Sequence, residues 1–483
     1  MNQIPLRLVS VLFLFLGIGS AVVLRGEPRL IPEDEFVRIG QIAGALSLED
    51  LIRVSLLASD VGEARLEEYS VKIMELLDDA PGTTGSGSPD LNSFTRKNPS
   101  DSFQEEAEIL LEWMHDKVLS RYVLKQTLLD TLVDDGTYNC VSSAVFYLIL
   151  LRSRDIPVHG VLTADHAFCR VGDADVETTT AYGFDPGKRR EAVDSFTGRT
   201  GFTYIPPGNY SRRQDIGEKE LISLILQNRM AELQRRQGWE EAVGTARDRW
   251  ALAGTPAAEN DFRVSVTNYA AYMDRRRMEV EGLVFLNEAA RILGDGQGLE
   301  ESASVLLGNA VTYYLRDGKT EEAEALLEND ELTALVPEDF IDKRIRDVRV
   351  KALETMLKNS SFSEASLGVE QACSEGSINQ SRRNELMIYL WSREARRRSS
   401  GENWPAGWIF LNDAPGEYRQ IPGWVDMENT YRHNAVVVFH NRFTEAFRRE
   451  DYDEARLLLD EALGLFPGSS LLLRDRELLM EKE

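Results

Sequence analysis

A small residue recurs at one fixed place in five segments of the second half of the chain, each time just after an acidic or mixed pair. The segments are WEEA (Trp239 to Ala242), EVEG (Glu279 to Gly282), TEEA (Thr320 to Ala323), FSEA (Phe362 to Ala365) and YDEA (Tyr452 to Ala455). The intervals between the small residues are 40, 41, 42 and 90. Fourteen positions before four of them stands an asparagine, namely Asn228, Asn268, Asn309 and Asn441, and Lys351 takes that place in the remaining unit. A register kept over more than 200 residues restricts the fold severely. Each unit is one helix pair that cannot bury its apolar face alone, so neighbouring pairs must stack. An all-α array is therefore expected over residues 217–483.

The last unit, NRFTEAFRREDYDEARLLLDEALGLFP, resembles a tetratricopeptide repeat: a helix, a turn, aromatic-x-x-Ala, and a second helix ending before Pro467. The other units are weaker, and their spacing exceeds the usual ~34 residues, which implies longer helices or loops. The resemblance implies a protein or peptide partner. In such repeats the equivalent first-helix position lies near the concave groove, and in some relatives asparagines there bond the backbone of an extended peptide. An amide suits that role because it offers a donor and an acceptor; the competing role is a bond to neighbouring backbone between helices. Asn228, Asn268, Asn309 and Asn441 are thus candidates for a peptide groove. Between the fourth and last units, ENWPAGWIFLNDAPGEYRQIPGWVDMEN breaks the pattern and holds Trp404, Trp408 and Trp424. Packing of this insertion is expected ahead of a binding loop, because aromatic clusters fill cores.

The first half is organised differently. Apolar residues at helical spacing predict a helical region over 33–79, and the Gly/Ser/Pro-rich stretch at 80–102 reads as a flexible linker or loop. Helical pattern resumes with FQEEAEILLEWMHDKVLSRYVLKQTLL and stops at Asp134 to Gly136. TYNCVSSAVFYLILL then sets Cys140 at the start of an almost unbroken apolar run, a buried helix. Beyond it, PVHGVLT and HAFCRV carry the β-branched and aromatic residues of short strands, and two or three strands are expected in all. Helix backed by strands makes an α+β domain over 103–210.

A thiol at a helix N-terminus faces free N–H groups and the positive end of the helix dipole, which favour its thiolate. Downstream of Cys140 lie His159 and His166, then Glu177 and Asp185. A cysteine nucleophile, a histidine to move the proton and a carboxylate to fix the imidazole are the parts of acyl-transfer catalysis. The stretch YNCVSSAVFYLILLRSRDIPVHGVLTADHAFCRVGDADVETT resembles the core of the transglutaminase-like superfamily, which shares a papain-like cysteine fold. Matched to that pattern are Cys140, the turn RSRDIP ending at Pro157, His166 followed by Phe168, and Glu177. The resemblance implies catalytic roles for Cys140, His166 and Glu177. Asp155 stands where the family often has Gly, and Glu177 where Asp is more usual, which keeps Asp185 as an alternative acid. His159 falls inside the preceding strand, and Cys169, three residues past His166, should face the core.

Composition narrows the remaining options. The 80 acidic and 55 basic residues give a formal charge of −25, which repels a phosphate backbone and excludes nucleic acid as the partner. Five histidines without paired spacing and three distant cysteines point to no metal, and no cofactor is implied. The N-terminus carries one cation, Arg7, before an apolar run from Leu8 to Leu24, with Gly19, Ser20 and Ala21 near its end. This predicts an export signal over 1–25, cleaved or kept as a membrane tether, since spanning takes roughly 17 to 25 residues. The body is then expected in the periplasm or outside the cell, where Cys140, Cys169 and Cys373 leave at least one thiol unpaired. The expected function is that of an exported thiol enzyme, cleaving or transferring amides and carrying a repeat array for protein binding. The alternative is a catalytically inactive scaffold of the same two parts that binds other proteins in the envelope.

Overall fold

The structure is a computed structural model and describes residues 28–82, 99–186, 190–205, 209 and 212–482. The export signal and most of the 80–102 stretch therefore lie outside the described residues. Among those residues the protein is predominantly helical, with 22 α-helices against six short strands. They divide into two compact units, one formed by residues up to Met278 together with Glu288–Ser302, the other by Glu279–Asn287 and Ala303–Glu483.

In the first unit, helices α1 (Asp34–Gln41), α2 (Leu48–Ala58) and α3 (Glu63–Asp79) are followed by α4 (Pro99–Lys117). Then come β1 (Arg121–Tyr122), α5 (Leu129–Asp135), β2 (Thr137–Tyr138) and α6 (Cys140–Arg152). Strands β3 (His159–Leu162), β4 (Ala167–Val171) and β5 (Ala174–Val176) precede α7 (Arg190–Thr200) and β6 (Gln214–Ile216). Helices α8 (Glu218–Arg235), α9 (Trp239–Ala253) and α10 (Pro256–Arg275) complete the unit's main body. Its antiparallel sheet has the order β5-β4-β3-β6, and β1 pairs with β2 in parallel.

Helix α6 is buried on every side from Val141 to Leu151, as its unbroken apolar run requires, because a helix without a polar face has no surface to give to water. Around it one core gathers Leu51 and Val54 of α2, Ile73 of α3, Leu110 of α4, Cys169 of β4, and Ile222 and Ile225 of α8. The helical region at 33–79 and the first repeat helix α8 thus share the core of the 103–210 segment. Close approach explains one glycine: a Cβ on Gly160 would meet Ile216 Cγ1 at 2.9 Å, so β3 and β6 pair only if that position stays bare.

Three local expectations need correction. The helical pattern expected from Phe103 onward breaks after Lys117, because the loop at 123–128 is pinned by Gln126, whose amide donates to the carbonyls of Leu128 and Thr137 at 3.0 and 2.6 Å. The sheet has a fourth strand, β6, beyond the expected two or three; at three residues it is too short for an alternation signal. Helix α7 lies in a stretch for which no helical signal was read, its apolar positions being few. The stop at Gly136 is met as read: it ends α5 with a left-handed φ of 64°, and its N–H donates to the Leu132 carbonyl.

The second unit contains part of α11 (Glu279–Leu293) and most of α12 (Glu300–Arg316), then α13 (Thr320–Leu327), α14 (Asp330–Thr333), α15 (Glu338–Asn359), α16 (Phe362–Ser374) and α17 (Gln380–Arg398). After these come α18 (Trp404–Asn412), α19 (Gly416–Arg419), α20 (Trp424–Arg448), α21 (Tyr452–Leu465) and α22 (Ser470–Met480). The register found in the sequence has a structural counterpart in both units. Every recurrent small residue is the fourth residue of its helix, in α9, α11, α13, α16 and α21. Ala242, Ala323, Ala365 and Ala455 are buried, and a Cβ on Gly282 would meet Leu306 Cδ1 at 2.8 Å. Every Asn-register position lies on the preceding long helix: α8, α10, α12, α15 and α20. The tryptophan insertion packs as expected, with Trp424 and Trp408 buried, Trp424 5.4 Å from Trp391 and Trp408 4.4 Å from Phe466 between ring centroids.

Candidate active site

Cys140 is the first residue of α6, and the helix start that holds it is built from its neighbours. Asn139 caps the helix, its Oδ1 accepting from Val141 N and Ser142 N at 3.0 Å each, while Ser142 Oγ accepts from Asn139 N at 3.0 Å. Such a box satisfies the orphan donors of a first turn reciprocally. It also takes two N–H groups that would otherwise face the thiol, and leaves the Cys140 N–H as the remaining donor of the turn. Asn139 Nδ2 donates to the Leu124 carbonyl at 3.2 Å and Ser142 Oγ to that of Gln126 at 3.3 Å, so the 123–128 loop is tied to the start of α6.

His166 precedes β4, anchored by its backbone N–H to Thr163 Oγ1 at 3.1 Å. Its Nε2 lies 2.7 Å from Glu177 Oε2, and its side chain is 11% exposed against 1% for Glu177. The second carboxylate oxygen of Glu177 accepts from Thr179 N at 3.2 Å and Thr179 Oγ1 at 2.7 Å. Glu177 is therefore fully engaged, one oxygen on the imidazole and one on Thr179.

The electrostatics follow from that geometry. Burial would lower the pKa of His166, but the Glu177 charge and hydrogen bonds to Cys140 and Glu177 outweigh it and hold the imidazole well above its ordinary value. Burial would raise Glu177, yet the His166 charge and its bonds to His166 and Thr179 keep it below the usual carboxylate range. The Glu177 carboxylate thus favours a proton on His166, and Cys140 acts on the same ring. Since Glu177 takes Nε2, Nδ1 is the ring atom left for proton exchange with the thiol.

The three residues matched to the transglutaminase-like pattern thus converge. The His166 ring is held by Glu177, while the Asp185 backbone N–H donates to the Asp175 carbonyl at 2.9 Å beyond the Val176–Phe184 bridge. His159 falls inside the preceding strand as read: it opens β3 in an exposed position opposite Arg170. Cys169 is fully buried, donates to the Ala144 carbonyl at 3.5 Å, and is pushed up by burial. Asp155 has a φ of 56°, so the turn before Ile156 adopts the left-handed conformation for which a glycine is the cheaper residue. All three cysteines are free thiols.

Other contacts had no signal in the sequence. Phe196 of α7 sets its edge on the His166 ring with centroids 6.2 Å apart, and Tyr204 packs on Phe196 at 5.4 Å. Tyr122 lies at the Cys140 side and its phenol is raised, first by burial and then by the charges of Cys140 and Glu177. The asparagines do not share one environment. Asn228 Nδ2 donates to Thr127 Oγ1 at 3.2 Å and lines a cleft of about 900 Å³ in the first unit with Arg229, Lys125 and Tyr272. Asn268 and Asn309 are half-buried and Asn441 is exposed. No helix among the described residues is long and apolar enough to cross a membrane.

No protein-family model matches the chain, and no curated protein is significantly similar to it. A crystal structure of menin, described as revealing the binding site for Mixed Lineage Leukemia protein, is similar at a TM-score of 0.30 and 13% identity, over 82% of this chain and 95% of that one.

Proposed function

We propose that the protein is a transglutaminase-like thiol enzyme acting on amide bonds, by hydrolysis or by transfer to an amine, and that its repeat helices hold a protein segment. The observation that carries this reading is the His166 ring fixed at 2.7 Å by the buried Glu177 carboxylate, with the Cys140 thiol at the capped start of α6 acting electrostatically on the same ring. Cys140 Sγ passes its proton to His166 Nδ1 and attacks the carbonyl carbon, and the C–S bond forms as the carbonyl π bond opens and the oxygen takes up charge beside the Cys140 N–H. His166 gives its proton to the leaving nitrogen, the C–N bond breaks, and a thioester remains. Water, or an amine, then yields a proton to His166 as it attacks, and the C–S bond breaks. Glu177 keeps the imidazole in register through both steps and stabilises its cationic form.

Thiol labelling tests the reading without a known substrate. Near pH 6.5 an ordinary thiol is about 1% thiolate, so iodoacetamide should modify Cys140 well ahead of half-buried Cys373, and His166→Ala should slow Cys140 by about tenfold or more. Equal rates for Cys140 and Cys373 would leave the non-catalytic scaffold as the better account. In keeping with the apolar run at 8–24, a reporter fused to the C-terminus is expected to be active only outside the cytoplasm.

A further inference from the structure

The segment that carries the acid is buried and polar throughout: Glu177 is 1% exposed and Thr178, Thr179 and Thr180 are 0%. Such a segment keeps its place only if each polar group has a partner, since a buried carbonyl left bare pays its full desolvation cost. Its partners come from three different elements, and a fourth stands behind two of them. Thr178 Oγ1 meets Ser143 Oγ of α6 at 2.9 Å, and Tyr138 of β2 donates its hydroxyl to the Thr179 carbonyl at 3.2 Å. His115 of α4 meets the Thr178 carbonyl with Nε2 at 3.0 Å. Arg199 of α7 donates to His115 Nδ1 and to Tyr138 Oη, both at 3.3 Å.

We propose that His115 is a positioning residue for the active site, clamping the Thr178 carbonyl so that Glu177 stays on His166 and tying that segment to α7 through Arg199. The assignment rests on the Cys140–His166–Glu177 reading. The two bonds of His115 fix its state: Nε2 must carry a hydrogen to donate to Thr178, and Nδ1 must be bare to accept from Arg199, so the ring is the neutral Nε2–H tautomer. Burial, and after it the Arg199 charge, lower its pKa to about 3 in agreement with this, against smaller raising effects of the Thr178 bond and Glu177. The same α7 that presents Arg199 also presents Phe196 to the His166 ring. His115 is thus the joint between the support of the acid and the covering of the base.

The test reads the His166 ring itself by histidine NMR titration, with His166→Asn identifying the signal. In the wild type His166 is expected to titrate above an ordinary histidine. His115→Leu removes both bonds, and the His166 midpoint should fall by about one unit or more as Glu177 loosens. His115→Gln can donate to Thr178 and accept from Arg199, and should restore the wild-type midpoint. Arg199→Gln, on the exposed side of α7, folds even where His115→Leu does not and should lower the midpoint by a smaller amount. A His166 midpoint unmoved in His115→Leu, or in Arg199→Gln when the leucine variant is unfolded, overturns the inference even if melting drops. Iodoacetamide labelling of wild-type Cys140 reports separately on the enzyme reading, so the two fail by different measurements.

Discussion

At the scale of single residues, two histidines with opposite electrostatics contribute with opposite sign to how the first unit responds to acid. His115 is buried neutral with its pKa lowered to about 3, so between pH 6.5 and about 3 the unfolded chain takes up a proton that the folded one refuses. Stability should therefore fall with pH across that window by about 1.4 kcal/mol per unit from this group. His166, raised by Glu177 and Cys140 after the opposing effect of burial, has the opposite sign. Its contribution is full below the unfolded midpoint near 6.5 and is lost as pH rises through its raised folded value, so it is flat where His115 acts. Glu177, depressed by His166 and Thr179 against burial, adds to the loss only as pH falls below about 4.5. Urea midpoints measured from pH 7 to 4.5 should slope steeply in the wild type and much less in a His115→Leu variant that still folds. Parallel slopes would show that His115 is solvated. None of this was legible beforehand, because His115 sits in LLEWMHDKV, an ordinary amphipathic helix sequence.

At the scale of elements, the helix start of α6 does two tasks with the same residues. The Asn139 cap satisfies the Val141 and Ser142 N–H groups and, through Nδ2, the Leu124 carbonyl. Asn139→Ala removes all three bonds, and unfolding free energy should drop by roughly 1 to 2 kcal/mol. Cys140 labelling should slow in the same variant, since the thiol is the next residue and the 123–128 loop is tied through the lost bonds. A stability loss with an unchanged labelling rate would mean that the cap supports the fold alone. The apolar run at 141–151 was legible as a buried helix because no face of it suits water. The break after Lys117 was not, since Gln126 decides it through bonds to Leu128 and Thr137, contacts made only when β2 is in place.

At the scale of the whole molecule, the recurrent register marks where helices pack. The small residues are buried at the fourth position of five helices, where the register places them. The asparagines part company: Asn228 bonds Thr127 within the first unit, whereas Asn268 is half-buried on α10. If Asn268 serves a partner, Asn268→Ala should weaken binding to an array of extended peptides while the melting temperature stays nearly constant; a sharp fall in melting with binding intact would make it structural. By itself the sequence determined the helices that carry the register and the buried α6, and it offered Cys140, His166 and the acids Glu177 and Asp185 as candidates. Periodicity, helix starts and strand alternation are local properties, set by which side chains water will accept. Only the tertiary structure decided that 33–79, the sheet and α8 share one core, that Glu177 rather than Asp185 meets His166, and that His115 and Arg199 stand behind the site. Those outcomes depend on distances between residues far apart in the chain, which are fixed when the core closes and buried polar groups must find their partners.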